Sequence, residues 1–586
     1  MKSLMKYLKK YRTEAVMAPL FKMLEASFEL FVPLVMAKII DTGIRNADLP
    51  YILRMGGVLI LLGVIGLACS LTAQYFAAKA AVGFGTALRK ELFDHINHFS
   101  YTEIDAEGTA TLITRMTSDV NQVQSGVNLT LRLFLRSPFI VFGAMIMAFT
   151  IDVKSAMIFV VTIPLLSVVV FGIMLITMPL YKKVQKQLDR VLQMTRENLT
   201  GVRVVRAFNR QKDETASYHA ESGLLFDFQI FVGKISALLN PITYVIINLA
   251  IVVLIYVGAT QVDAGAIPQG KLVALVNYMS QILVELIKLA NLIITMTKAF
   301  ACAGRINSVF DTKSSITEKE TAASSPKAGR RDAPQGQAAP MVSFDHVSFA
   351  YQGAKADSLS DIHFDAMRGE TIGIIGGTGS GKSTVVNLIP RFYDATKGTV
   401  SVDGRDVKEY GLKELRGRIG VVPQRAVLFR GSIRDNMKWG KADATDDEIM
   451  EAMDIAQARD VVEDKQGGLD ANLLQGGKNL SGGQRQRLTI ARALVRKPDI
   501  LILDDSASAL DFATDARLRK AIQEKTDGMT VFIVSQRATT VKQADKILVL
   551  DEGSVAGIGK HQELFENCSV YREICLSQLS GEEVNQ

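Results

Sequence analysis

Gly376-Gly-Thr378-Gly379-Ser380-Gly381-Lys382-Ser383-Thr384 follows directly on the apolar run Thr371-Ile-Gly-Ile-Ile375 and leads into Val385–Ile389. The order reads as buried strand, glycine-rich loop, helix. It is the full G-x-x-x-x-G-K-[ST] pattern in the context that gives that pattern meaning. Glycines let successive backbone N–H groups point inward around phosphate oxygens, and a helix N-terminus adds a favourable dipole. Lys382 is then placed to neutralise the β and γ phosphates of ATP, and Ser383 to hold Mg2+. A second apolar strand, Ile500-Leu-Ile-Leu503, ends in Asp504-Asp505. A carboxylate at a strand's end beside such a loop is where the metal needs an anionic partner, so Asp504 is the metal-side candidate. From Met341 onward, short β-branched runs alternate with charged helical stretches. That is the layout of an α/β nucleotide-binding domain, expected over 341–586.

Working outward, residues 312–340 are rich in Ser, Ala, Lys and Gly and carry Pro326, Pro334 and Pro340. Such a composition cannot bury a core, so a flexible linker and a domain boundary are expected there. Residues 1–311 differ again. The 586-residue chain averages 48% apolar and 22% charged residues, yet 55–78, 155–181 and 235–262 contain no Asp, Glu, Lys or Arg. A membrane span needs about 20 mostly apolar residues, which each of these windows supplies. Three interrupted candidates, 15–42, 127–150 and 270–297, raise the expectation to six spans.

The basic residues set the orientation. Lys2, Lys6, Lys9, Lys10 and Arg12 stand before the first span, and 182–212 holds nine Lys or Arg, whereas the short turns at 43–51, 151–154 and 262–270 hold only Arg45 and Lys154. Both termini are therefore expected in the cytoplasm, in a multi-pass protein of the cytoplasmic membrane without a cleavable signal. Leu4, Leu8 and Tyr11 share one face of the basic start, which either lies along the inner surface or only sets topology. This placement accounts for the net charge of +7 and gives no reason to expect nucleic acid. The cysteines, Cys69, Cys302, Cys568 and Cys575, lack metal-ligand spacing and read as buried or incidental thiols. The stretches 80–126 and 182–234 keep helical periodicity, as at Val184, Leu188, Val191 and Leu192, so spanning helices are expected to continue into the cytoplasm.

Leu480-Ser481-Gly482-Gly483-Gln484 stands 16 residues before the strand that starts at Ile500. A Ser-Gly-Gly turn opening a helix offers hydroxyl and N–H groups to an anion. With the phosphate loop, Gln424 after Ile419–Pro423, Asp504, Ser508-Ala-Leu-Asp511 and Ser535-Gln536-Arg537 in this order, the whole chain resembles an exporter-type half-transporter of the ATP-binding cassette superfamily. The fold this implies is an α-helical six-span domain followed by an α/β P-loop ATPase. The resemblance implies that Tyr351 stacks on adenine, a contact worth about 1–3 kcal/mol, and that Gln424 joins Ser383 and Asp504 at Mg2+. It implies that two halves close head to tail, each ATP lying between one half's phosphate loop and the other's Ser481, Gly482, Gly483 and Gln484. It also implies that the long loops dock on the cassettes, Glu197-Asn-Leu-Thr-Gly201 with Arg206 and Phe208 resembling one such contact.

Three departures from the family pattern stand out. Asp505 occupies the place of the glutamate that polarises the attacking water, with about 1.5 Å less reach; such bases contribute roughly 10²–10⁴-fold. Gln536 replaces the switch histidine and cannot become cationic. Gln475, near the usual Glu before the signature, carries little weight. Asp505 and Gln536 together point to a site that binds ATP and hydrolyses it weakly, while the intact signature serves a partner's ATP. The expectation is a heterodimer exporting small amphiphilic drugs through the membrane lipid. A homodimeric lipid or peptide exporter, and an ATP-gated channel or regulatory subunit, stay open as alternatives.

On the substrate side, Lys22, Glu25, Glu29, Glu285 and Lys288 fall within candidate spans, where charge is costly. Glu25, Glu29 and Glu285 either attract cationic amphiphiles or form salt bridges between helices. Arg132 and Arg136 read as interfacial. Asn277, Tyr278 and Met279 suggest a pocket wall suited to apolar drugs.

Overall fold

A computed structural model describes residues 3–316, 339–526 and 528–578. Most of the expected linker, residues 317–338 with Pro326 and Pro334, lies outside the described residues. The chain divides into two compact units, one comprising Met1–Asn97 with Thr109–Thr312 and the other His98–Gly108 with Lys313–Gln586.

The first unit is built of long helices. Leu49–Asn97 runs 49 residues and Val153–Thr200 runs 48, each continuing well past its uncharged window. Among the described residues, five helical stretches are long and apolar enough to cross a membrane: Leu49–Asn97, Thr109–Ile151, Val153–Thr200, Gln211–Asp263 and Gln269–Asp311. The sixth expected span, at 15–42, is the helix Arg12–Lys38. Lys22, Glu25 and Glu29 interrupt its apolar sequence, and it does not meet the same criterion of composition. Its inner face is small, with Ala18 and Ala26 fully buried, and the neighbouring helix answers with Ala73, Ala77, Ala80 and Ala81. Small residues let helix backbones approach closely where lipid gives no hydrophobic drive between helices. Leu4 at the basic start is buried as well, and the Ser3 hydroxyl donates to Asn307, so this segment packs on its own unit.

The shared core of the first unit includes Leu30, Ile140, Phe159, Leu254, Tyr278, Met279 and Ile282. Tyr278 and Met279 are fully buried there, the tyrosine donating to the Leu30 carbonyl at 2.5 Å. They hold helices together and do not line the cavity that Asn277 reaches, which corrects the expectation of a shared pocket wall. Arg136 is not interfacial either. It is buried and donates to both Glu29 and Glu285, because a guanidinium in this setting is stable only when paired.

In the second unit a six-stranded sheet runs in the order Ser554–Gly559, Lys546–Asp551, Thr371–Gly376, Thr530–Val534, Ile500–Asp504, Ile419–Val422. All neighbours are parallel except the first pair. Side chains alternate between two cores: Ile372, Ile374, Ile500, Ile502 and Phe532 enter one, Leu501, Leu503, Val531 and Ile533 the other. A parallel sheet covered on both faces needs such continuously apolar strands. A four-stranded antiparallel sheet, in the order Leu359–Ala366, Val342–Phe349, Lys397–Val402, Arg405–Asp406, flanks it. Because the central strands are parallel and Val534 pairs with Asp504, Gly376, Asp504 and Val534 end at one edge. Open α/β sheets bind ligands outside that carboxyl edge.

Candidate functional site

At this edge the chain turns through Gly377–Gly381 into the helix Lys382–Leu388. Gly379 and Gly381 hold φ of +84° and +91°, which glycine adopts without the clash of a side chain. Gly376 is required for a different reason, since a Cβ there would collide with the Leu550 carbonyl and the Ser380 hydroxyl. Lys382 is buried and donates to the carbonyls of Gly376 at 2.9 Å and Gly377 at 2.5 Å. Burial holds its ammonium below the usual lysine range, partly opposed by Asp505 and Asp504. A desolvated cation with only dipoles as direct partners interacts strongly with anionic oxygens placed beside it.

The Ser383 hydroxyl donates to Asp504 at 2.9 Å. Burial raises the Asp504 carboxyl above its ordinary value, an effect that Asp505 reinforces and the Ser383 bond opposes. The Gln424 amide lies 3.3 Å from Asp505. Ser383, Asp504 and Gln424 offer oxygen donors alone, the set that suits Mg2+. Asp505 itself has φ +46°, and its N–H donates to Val534 at 3.0 Å.

These side chains line one cleft of about 340 Å3, together with Tyr351, Ser358, Thr378, Gly379, Gly381, Thr384, Ser535 and Gln536. Tyr351 is partly exposed, bonds Thr384 through its hydroxyl at 3.0 Å and packs edge-on to Phe349 and Tyr393, so it forms a fixed wall. Gln536 is tied from behind: Gln578 donates to its carbonyl at 2.8 Å and accepts from the Ala538 N–H at 2.9 Å. The sequence had given no sign of Gln578, nor of Ser358 and Val534, which the sheet register carries to the cleft.

Leu480–Gln484 does not line this cleft. Ser481 caps the helix Gly482–Leu494 in a reciprocal box with Gln484, at 3.2 and 3.0 Å, and Ser481 and Gly482 are exposed. The segment is thus a preformed helix start, exposed and outside the cleft that holds the chain's own phosphate loop. Of the loop expected at 197–208, Leu199, Val204 and Phe208 are likewise exposed, Phe208 to 74%.

The other long stretch contributes His98–Gly108 to this second unit. Tyr101 packs on Phe392 with ring centres 4.6 Å apart, and Tyr393 donates to Asp105 at 2.7 Å. Glu103 accepts from Ser100 and Ser315. Burial would raise its carboxyl, but these bonds outweigh that and hold it below its usual range.

Comparison with known proteins gives a consistent picture. The profile of the ABC transporter transmembrane region matches residues 16–286, and that of the ABC transporter matches 359–508. An uncharacterized ABC transporter ATP-binding protein of Mycobacterium tuberculosis is 36% identical over 580 residues, covering 98% of this chain and 97% of that protein. A putative multidrug export ATP-binding/permease protein of Bacillus subtilis is 31% identical over 98% of each chain. The structure of a bacterial Atm1-family ABC exporter with ATP bound shares the fold, with a TM-score of 0.78 at 23% identity over 97% of this chain and 98% of that one.

Proposed function

The chain belongs to the ABC transporter family, whose ATPase is coupled to transport, and from that premise we propose that it exports small amphiphilic compounds across the cytoplasmic membrane as one half of a heterodimer. Six spans with both termini cytoplasmic, a membrane domain over 1–311, a linker at 312–340 and an ATPase domain over 341–586 complete this reading. The observation that carries it is an asymmetry. The chain's own cleft presents Asp505 and Gln536 where hydrolysis needs a longer base and a cationic switch, while Ser481–Gln484 is fully formed away from that cleft.

Within the chain's own site, Lys382 and the loop N–H groups bind the phosphates, and Tyr351 supports the base. Ser383, Asp504 and Gln424 would hold Mg2+, which when bound neutralises charge on the phosphate oxygens. Asp505 is one methylene shorter than glutamate and would orient water less efficiently, so ATP would be retained and act as a clamp. Ser481, Gly482 and Gly483 complete the partner's site, where turnover occurs. Two surfaces suit such a partner: the exposed signature turn and the apolar tip formed by Leu199, Val204 and Phe208.

The test is ATPase rate together with bound-nucleotide stoichiometry, for the chain alone and co-purified with its candidate partner. The pair is expected to hydrolyse briskly and retain one ATP, and the chain alone to be nearly inert. Full-speed hydrolysis by the chain alone would show that Asp505 and Gln536 suffice as a catalytic pair, and the heterodimer reading would fall.

A further inference from the structure

Away from the nucleotide cleft, a buried polar cluster lies among the helices of the first unit. Arg136 is 7% exposed, and its two terminal nitrogens donate to Glu29 and Glu285, each at 2.6 Å. Glu285 is 2% exposed and also accepts from the Ser137 hydroxyl and the Lys288 ammonium, each at 2.8 Å. The four ions form a row of alternating sign, Glu29, Arg136, Glu285, Lys288. Its inner pair is buried, while the end side chains are 40% and 42% exposed.

Both ends line a cavity of about 440 Å3. Asn277, Ser280 and Gln281 add amides and a hydroxyl to its wall, and Val32, Met36 and Val284 add apolar surface. Glu25 plays no part in this wall, being paired with Lys22 at 2.5 Å.

We infer that this cavity binds an amphiphile whose head carries both a primary ammonium and an anionic oxygen, the ammonium meeting Glu29 and the anion meeting Lys288. The inference names a substrate class for the proposed export activity and rests on that reading. Glu285 also lines the cavity, but its side chain is only 3% exposed and is held by Arg136 and Lys288, so a simple cation finds one exposed opposite charge and one exposed like charge, and so does a simple anion. A zwitterion satisfies both ends of the row and leaves the buried Arg136–Glu285 pair intact, with its tail along Val32, Met36 and Val284. Three glutamates in the sequence suggest cationic ligands; pairing in the fold removes that bias.

The experiment uses the full-length chain co-purified with its candidate partner in nanodiscs and four single-chain probes with twelve-carbon tails: lauroyl lysophosphatidylethanolamine, dodecylamine, dodecyl phosphate and dodecyl maltoside. Equilibrium binding is measured for each, with basal ATPase alongside. The zwitterion is expected to bind about tenfold tighter than either singly charged probe, as one charge-assisted contact supplies. Glu29→Gln should weaken the zwitterion and the amine but spare the phosphate, and Lys288→Gln should weaken the zwitterion and the phosphate but spare the amine. Equal binding of all four probes by the wild-type protein, or variants that shift all four alike, would overturn the inference. Such a result with basal ATPase intact leaves the export reading standing, whereas absent ATPase with any partner tests that reading instead.

Discussion

At Asp505 the backbone adopts a left-handed conformation, one that aspartate enters more readily than most side chains. Its carboxylate is near Gln424, and it lines the same cleft as Gln536, so both departures from the family pattern act on the same small volume. Glutamate at 505 would extend the carboxylate by about 1.5 Å, and histidine at 536 would restore a group able to carry positive charge. The double variant Asp505→Glu, Gln536→His is expected to raise single-turnover hydrolysis at this chain's own site by about 10²–10⁴-fold, the scale of a positioned base. The measurement is made in the pair with the partner's phosphate-loop lysine removed. An unchanged rate would mean that the weakness lies elsewhere. Asp504 makes a separate prediction. Asp504→Asn keeps a partner for Ser383 but removes the anion, so ATP affinity should cease to depend on Mg2+, whereas EDTA should weaken binding to the wild-type chain by about tenfold. These residues were readable beforehand because each stands at a fixed offset from a strand end. Gln578, 42 residues from the carbonyl it holds, left no such trace.

Among the elements, His98–Gly108 is the segment whose placement sequence periodicity could not supply. It follows a helix of 49 residues and precedes another, yet it packs with Phe392 and Tyr393 in the second unit. Burial and the nearby Asp105 carboxylate both push the Tyr393 phenol well above its ordinary range, so it stays a donor to Asp105. Tyr393→Phe removes one hydrogen bond while keeping the ring packing, a loss of about 1 kcal/mol. Amide exchange in 98–108 should speed up about fivefold, with ATP affinity unchanged; a loss of ATP binding would instead place Tyr393 in the nucleotide site. Helix pairing hid a second feature. Arg136 reaches partners 107 and 149 positions away, separations to which a local hydropathy window is blind. Arg136→Met should cost up to about 3 kcal/mol, because the buried Glu285 loses one of its two cations and keeps only Lys288 and Ser137, visible as a lower unfolding temperature in detergent. Adding Glu285→Gln should recover much of it, and no recovery would argue against the charge pair as the cause.

For the whole molecule, the layers and the cleft were legible because strand, loop and helix follow one another within a few residues. The apolar windows likewise announced the long helices. The count of spans was less secure, since Arg12–Lys38 carries charges that are paired in the fold, Lys22 with Glu25 along the helix and Glu29 with Arg136 across helices. What no single chain displays is how two clefts share the work, and here the asymmetry makes its strongest demand. If this chain lends Ser481 and its neighbouring N–H groups to a partner's ATP, then Ser481→Arg in this chain should abolish steady hydrolysis by the pair. The expected loss is about 100-fold, the scale of removing one preorganised donor from a transition state. Lys382→Ala in the same chain damages only the retaining site and should leave most of the turnover, while bound ATP after washing falls from one per pair to none. A symmetric enzyme cannot produce that split. With two equivalent sites, both substitutions would silence hydrolysis to the same degree, and equal losses would therefore return the protein to a homodimer with two slow sites.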